Sequence, residues 1–207
     1  MTSEPKPKVT DGRRARRDRG RLTVIEAVIA LFQEGSAPPT LQQMTERAGI
    51  SAATLFRYFD TLDDLLHEAT AAYFARFGGL FEIPDIGTGT PDERVRRYTD
   101  SRIALYEGIA PFARYGRARA FDHSHFAATL HSARGRMAEQ VRDHFGGELA
   151  ALAPHRRDGF VAAVCTLTSF ESWDQLTHDF ACTSDGVRTV WRHALTALCD
   201  NASPSPP

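Results

Sequence analysis

Residues Leu41 to Leu66 read LQQMTERAGISAATLFRYFDTLDDLL, and the spacing inside this stretch decides the fold. Thr40 stands just before it and Gln43 follows three residues on. In that pattern a threonine oxygen takes an orphan amide of a helix N-terminus and the glutamine reaches back. The helix so opened carries Leu41, Met44 and Ala48 inward and stops at Gly49, which can take the left-handed conformation that closes a helix and turns the chain. Ser51 caps a third, brief helix from Ala52 to Tyr58. Thr61 with Asp64 opens a fourth, whose apolar face is Leu62, Leu65, Leu66, Ala69, Tyr73 and Phe77.

Upstream, Leu22, Ile25, Val28, Ile29 and Phe32 recur at three- and four-residue steps, which predicts a helix from Arg21 to Gln33 ended by Gly35. Two short helices joined by Ala48-Gly49-Ile50-Ser51, with a longer helix before them, form the trihelical arrangement in which the second of the pair lies in the major groove of DNA.

These residues, and more broadly 20 to 66, resemble the DNA-binding signature of the tetracycline-repressor (TetR) family. SFESWDQL, Ser169 to Leu176, and the amphipathic helix that closes the chain are similar to that family's C-terminal layout. The resemblance implies that Thr40 donates to a phosphate, that Ser51, Ala52, Ala53 and Thr54 meet base edges, and that Gln43 adds a contact from the supporting helix. Small residues there let the recognition helix approach closely, and Thr54 can read a thymine methyl or a polar edge. Arg57 and Tyr58 fall where the family sets long side chains against the DNA backbone, and Phe59 belongs to the core. The family often has tyrosine where Phe56 stands and lysine where Leu62 stands, so one phosphate hydroxyl and one phosphate cation are missing here.

Charge is unevenly placed to match. The 207 residues carry a formal charge of -1, yet Met1 to Arg21 amount to +5 and the remainder to -6. A basic head on a mildly acidic body suits a DNA-binding protein, although a solubilising leader has the same composition. On the first reading Arg13, Arg14, Arg16, Arg17, Arg19 and Arg21 supply the missing neutralisation.

Gly78-Gly79 and the glycine- and proline-bearing run from Ile83 to Pro91 break the periodicity and mark a module boundary. Beyond it the pattern stays helical. Thr90, Pro91 and Glu93 start a helix that should run to about Glu107, where Gly108 and Pro111 interrupt it. A segment from Pro111 to Phe121 follows, then a long helix with Phe126, Leu130, Ala133, Met137 and Val141 as its stripe. Two closing helices are read at His155 to Asp179 and Ser184 to Asp200. The resemblance implies that these last two pair with a second copy as a four-helix bundle. Phe160, Val164 and Leu167, then Val187, Trp191, Ala194, Leu195 and Leu198, are the candidate dimerisation residues, since the first helix is apolar on more than one face.

The middle helices supply Phe74, Phe77, Arg102, Tyr106, Phe112, Tyr115, Phe121 and Phe126, with Arg114, His123 and His125 interleaved, a set that can line a ligand pocket. Ordinary core packing is the alternative, because pockets and cores share composition. Asp122, His123, His125 and His131 have the donor chemistry of a metal site, but residues two apart on a helix point apart, so no metal or other cofactor is expected. Cys165, Cys182 and Cys199 match neither a disulfide framework nor a zinc ribbon.

The expectation is therefore an all-α chain: a basic disordered arm (1–20), a helix-turn-helix DNA-binding domain with its connecting helix (21–80), a helical ligand-binding and dimerisation domain (91–200) and a disordered tail (201–207). No membrane span, signal peptide, phosphate loop, nucleophile elbow or dinucleotide fingerprint is legible, which points away from an enzyme and toward a cytoplasmic protein. Its partners would be a double-stranded, palindromic DNA operator, a second copy of itself and a small-molecule effector. A repressor released by that effector is the leading reading. An activator or a ligand-independent DNA-binding protein shares the fold, and a helical enzyme without a recognisable catalytic motif is the distant alternative.

Overall fold

The structure, a computed structural model, describes residues 9–35 and 38–202, without the side chains of 9–11 and 13. Among the described residues every regular element is helical. Backbone packing divides the chain after Arg76 into two units.

In the first unit, α1 (Val9–Gln33) packs on α2 (Leu41–Ala48), α3 (Ala52–Tyr58) and α4 (Leu62–Arg76). Val24, Val28, Ile29 and Phe32 of α1 enclose Met44, Leu55, Phe59, Leu65, Ala69 and Tyr73, all buried. Leu55 and Phe59 anchor α3, and burying each side chain contributes about 1.5–3 kcal/mol. Two ion pairs tie the C-terminal half of α1 to its neighbours: Arg47 forks onto Glu34 (2.8 and 2.5 Å), just past the helix end, and Arg76 meets Glu26 at 2.5 Å. The Arg47 guanidinium holds the Glu34 carboxyl below its usual range.

Two expectations change here. The helix predicted from Arg21 begins at Val9, so the residues expected as a disordered arm are helical from 9 onward, and residues 1–8 lie outside the description. Arginine and alanine are strong helix formers, and a helix nucleated by the buried half propagates outward through them at one hydrogen bond per residue. Leu22, placed in the buried stripe, is 58% exposed.

The second unit is built on α5 (Pro91–Arg119), against which α6 (Ser124–His144), α9 (Phe170–His178) and α10 (Ser184–Asp200) pack. Between α6 and α9 lie α7 (Gly146–Ala151) and α8 (Pro154–Leu167), and a 3-10 turn, Gly78–Phe81, precedes α5. Val95, Tyr98, Val141, Phe145, Phe160, Val161, Val164 and Leu195 form one continuous core. Contrary to the reading of Gly108 and Pro111 as breaks, α5 runs through both. An interior proline costs roughly 3 kcal/mol, and the burial of Ile109, Ala110, Phe112 and Ala113 around it offsets that loss.

The helix expected from His155 to Asp179 is instead cut at Thr168, where Ser169 caps α9 by accepting from the Ser172 amide (3.1 Å). Two tyrosines of α5 hold the break: Tyr98 Oη lies 3.1 Å from Thr168 Oγ1, and Tyr106 Oη donates to the Thr168 carbonyl (2.8 Å). Of the expected tail, Ala202 is buried against the core, and residues 203–207 lie outside the description.

Candidate nucleic-acid interface

The geometry of α2 and α3 follows from their caps. Thr40 Oγ1 accepts from the Gln43 amide (3.3 Å), and the Gln43 side chain accepts from the Thr40 amide (2.8 Å), closing a capping box. Gly49 ends α2 at φ 65°, a left-handed conformation glycine adopts without steric cost. Ser51 then caps α3, accepting from the Thr54 amide (3.2 Å). Its carboxyl-side neighbours Ala52 and Ala53 are exposed, Thr54 is half-buried, and Phe56 and Arg57 project outward. Ser51, Ala52, Ala53 and Thr54 thus share the first turn of α3. Thr40 and Gln43 sit at the first turn of α2, their polar atoms engaged with each other but on the exposed side.

The far end of α3 shows what sequence reading missed. The last carbonyls of a helix lack intrahelical donors and carry partial negative charge. At α3 the arginines of α1 supply the donors: Arg17 Nη2 reaches the Arg57 carbonyl (3.3 Å) and Arg21 Nη1 the Tyr58 carbonyl. The Arg21 guanidinium also pairs with Glu68 of α4 and lies 4.4 Å from the centre of the Phe59 ring. Arg21 was expected to neutralise DNA; in the folded chain its guanidinium joins α1, α3 and α4 instead.

Beside it, Arg14, Arg17, Asp18 and Arg21 line an open cleft of about 520 Å³. Arg14, Arg16 and Arg19 are exposed, and the side chain of Arg13 lies outside the description. Gly20 was also missed: a Cβ there would fall 2.4 Å from Tyr58 Oη, so the absence of a side chain lets the half-buried Tyr58 rest on α1. Nothing in the spacing of an arginine-rich run marks that contact, which depends on how α3 crosses α1.

The candidate pocket residues of the second unit divide. Arg102, Tyr106, Phe112, Tyr115 and Phe126 are buried, and the Tyr115 and Phe126 rings meet edge to face at 5.6 Å. Phe77 is half-buried. Phe121 is 92% exposed in the turn between α5 and α6 and joins no interior, because the extension of α5 carries it past the core. Phe74 is half-buried on α4, in the other unit. Among the described residues no three His, Cys, Asp or Glu side chains come together to hold a metal, and His123 pairs with Arg119.

The dimerisation set needs a larger correction. Phe160, Val164, Val187, Trp191 and Leu195 are buried within the subunit's own core, which leaves them no face for a partner. A stripe wide enough for two neighbours does not tell which edge faces which. Leu167 (37% exposed) remains outward, Ala194 and Leu198 are half-buried, and Val190, at 45%, joins them on the open face of α10.

No family model matches the sequence, and no curated protein does. Solved structures do. A tetR-family transcriptional regulator from Streptomyces coelicolor superposes with a TM-score of 0.70 at 18% identity, over 89% of this chain and 82% of that one. A transcriptional regulator from Rhodococcus sp. Rha1 gives 0.65 at 13% identity, over 92% and 99%. Among the described residues the chain is all-helical, and over about nine-tenths of its length it has the fold of these transcriptional regulators.

Proposed function

We propose that the chain is a sequence-specific DNA-binding transcriptional regulator, acting as a homodimer and released from its operator when a small molecule binds the second unit. The observation that carries this reading is the first turn of α3: Ser51, Ala52 and Ala53 are small and exposed, at the start of a helix that Ser51 caps, that follows the left-handed Gly49 closing α2, and whose last carbonyls are met by Arg21. A helix end so bare of bulk can reach the floor of the major groove, where base identity is displayed. The likeness of fold to transcriptional regulators supports the same role.

In this reading Thr54 joins Ser51, Ala52 and Ala53 in reading bases, while Thr40, Gln43, Arg57 and Tyr58 fix the register on the backbone. The exposed arginines of α1, Arg14, Arg16 and Arg19, add phosphate neutralisation. The exposed Leu167 and Val190, with the half-buried Ala194 and Leu198 on the same side of α10 as Val190, meet their copies across a two-fold axis, so the operator is an inverted repeat. Regulation is by repression, and the protein works in the cytoplasm. No described helix is long and apolar enough to cross a membrane. Ligand and operator weaken each other by the same factor.

The test is a titration of labelled duplex from the protein's own upstream intergenic region, against a scrambled duplex, followed by fluorescence anisotropy at several salt concentrations. Binding to the native fragment at least a hundredfold tighter supports the reading. Equal, weak and steeply salt-dependent binding to both contradicts it.

A further inference from the structure

The interior of the second unit carries a charge that its own residues leave unanswered. Arg102, on α5, is 1% exposed. Its Nη2 donates to Gln140 Oε1 (2.8 Å), and its guanidinium carbon lies 4.9 Å from the centre of the Tyr98 ring. Nε and Nη1 reach no acceptor, and between them they carry three of the five N–H bonds of the group. No carboxylate pairs with it among the ion pairs of the described residues. A guanidinium cannot shed its charge at any ordinary pH, so burial without an anion is costly.

A second orphan lies nearby. Trp173 Nε1–H is buried without an acceptor. The Trp173 ring centre is 6.1 Å from that of Tyr106, which follows Arg102 by one turn of α5. Tyr106 itself donates to the Thr168 carbonyl. The region thus holds two groups with unmet donors, and the side chains packed about them are aromatic: Tyr98, Tyr106 and Phe170.

We propose that the second unit binds a small organic acid, its carboxylate accepting from Arg102 and its apolar body lying against the aromatic side chains around Tyr106. This deepens, and rests on, the reading of that unit as the effector-binding half. A carboxylate taking the unmet donors of Arg102 shares the guanidinium with the amide oxygen of Gln140, whose Nε2 donates to the Phe81 carbonyl (2.6 Å). The 3-10 turn Gly78–Phe81 is thus linked to the bound acid through Gln140.

The experiment is calorimetric titration of the full chain with straight-chain carboxylates from butyrate to decanoate and with benzoate. Each is compared with its primary amide at constant ionic strength, with chloride and phosphate as inorganic arms. The expected result is saturable binding of at least one carboxylate, one per subunit, at least tenfold tighter than its amide and lost in R102M. R102M is expected to be no less stable than wild type, since it removes an unpaired buried charge at similar volume. The proposal is overturned if no carboxylate in the series binds, if amide and acid bind alike, if R102M binds unchanged, or if chloride or phosphate alone saturates the response. The acid–amide comparison is made on wild type and holds even if R102M does not fold. Anisotropy with operator DNA separates the two claims: Arg102-dependent binding that leaves DNA affinity unchanged sustains the site and contradicts the regulatory reading.

Discussion

The ring of Tyr58 rests on the backbone of Gly20, so close that a methyl group at position 20 would fall 2.4 Å from the phenolic oxygen. This contact sets where the C-terminal end of α3 sits on α1. In G20A the gain in helix propensity, about 1 kcal/mol, offsets much of the cost of moving Tyr58. The expected outcome is a melting temperature within a few degrees of wild type and DNA affinity lower by about tenfold, the worth of one hydrogen bond to a charged group. Parallel thermal melts and anisotropy titrations check it, and unchanged affinity would remove Tyr58 from the interface.

Arg21 joins three helices, donating to the Tyr58 carbonyl, pairing with Glu68 and covering Phe59. The pair with Glu68 is partly exposed and worth little by itself, but the helix-end carbonyl loses its donor when the guanidinium goes. R21M is expected to lower stability by about 1–2 kcal/mol, read by urea unfolding. A variant as stable as wild type, with DNA affinity down steeply, would return Arg21 to the role of a DNA contact.

Arg14 is exposed beside the cleft on α1 and bears no load in the fold. R14Q should leave the melting temperature unchanged. It should flatten the slope of log affinity against log salt by about 1 per subunit, as expected for one lost phosphate contact. An identical slope would place this arginine away from DNA.

His144 supplies a pH dependence. The ring is fully buried; Nδ1 accepts from the Gly87 amide (3.2 Å) and Nε2 donates to the Arg94 carbonyl (2.9 Å), an arrangement open only to the neutral imidazole. Burial, aided by the Arg97 and Arg94 charges, holds its pKa below the ordinary 6.5. The unfolded chain therefore binds the proton more readily, so stability is complete above pH 6.5 and declines as the pH falls below it toward the folded-state value. Urea unfolding between pH 7.5 and 5 should show this decline in wild type and a shallower one in H144Q, whose amide can serve both partners. Parallel profiles would contradict the assignment.

Val190, 45% exposed on α10, belongs to the face assigned to the partner. V190E should fold as wild type does, because the side chain is not needed inside the subunit, and should sediment as a monomer with weakened operator binding. A dimer that survives the charge would move the interface elsewhere.

The elements that were legible in the sequence are those whose ends carry local chemistry. Thr40 with Gln43, Gly49 and Ser51 announce α2 and α3 to the residue, and Thr90-Pro91 with Glu93 the start of α5. Where a tertiary contact overrides the local signal, reading failed. Pro111 suggests a stop, yet buried neighbours keep α5 running, and Thr168 offers no stop, yet Tyr98 and Tyr106 impose one. The first turn of α3 was placed at DNA through the family resemblance and not by spacing; in the fold Ser51, Ala52 and Ala53 are exposed and Thr54 is half-buried. Phe121 and the dimer stripe were misassigned because apolarity says that a side chain seeks cover and not which neighbour provides it.

The central claim is that the first turn of α3 reads bases. Selection from a random duplex library by wild type and by T54A tests it most directly. Wild type is predicted to enrich an inverted repeat, and T54A the same repeat with relaxed preference at one symmetry-related pair of positions. No enriched sequence, or identical preferences for the two proteins with Ser51, Ala52 and Ala53 variants also without effect, would contradict it.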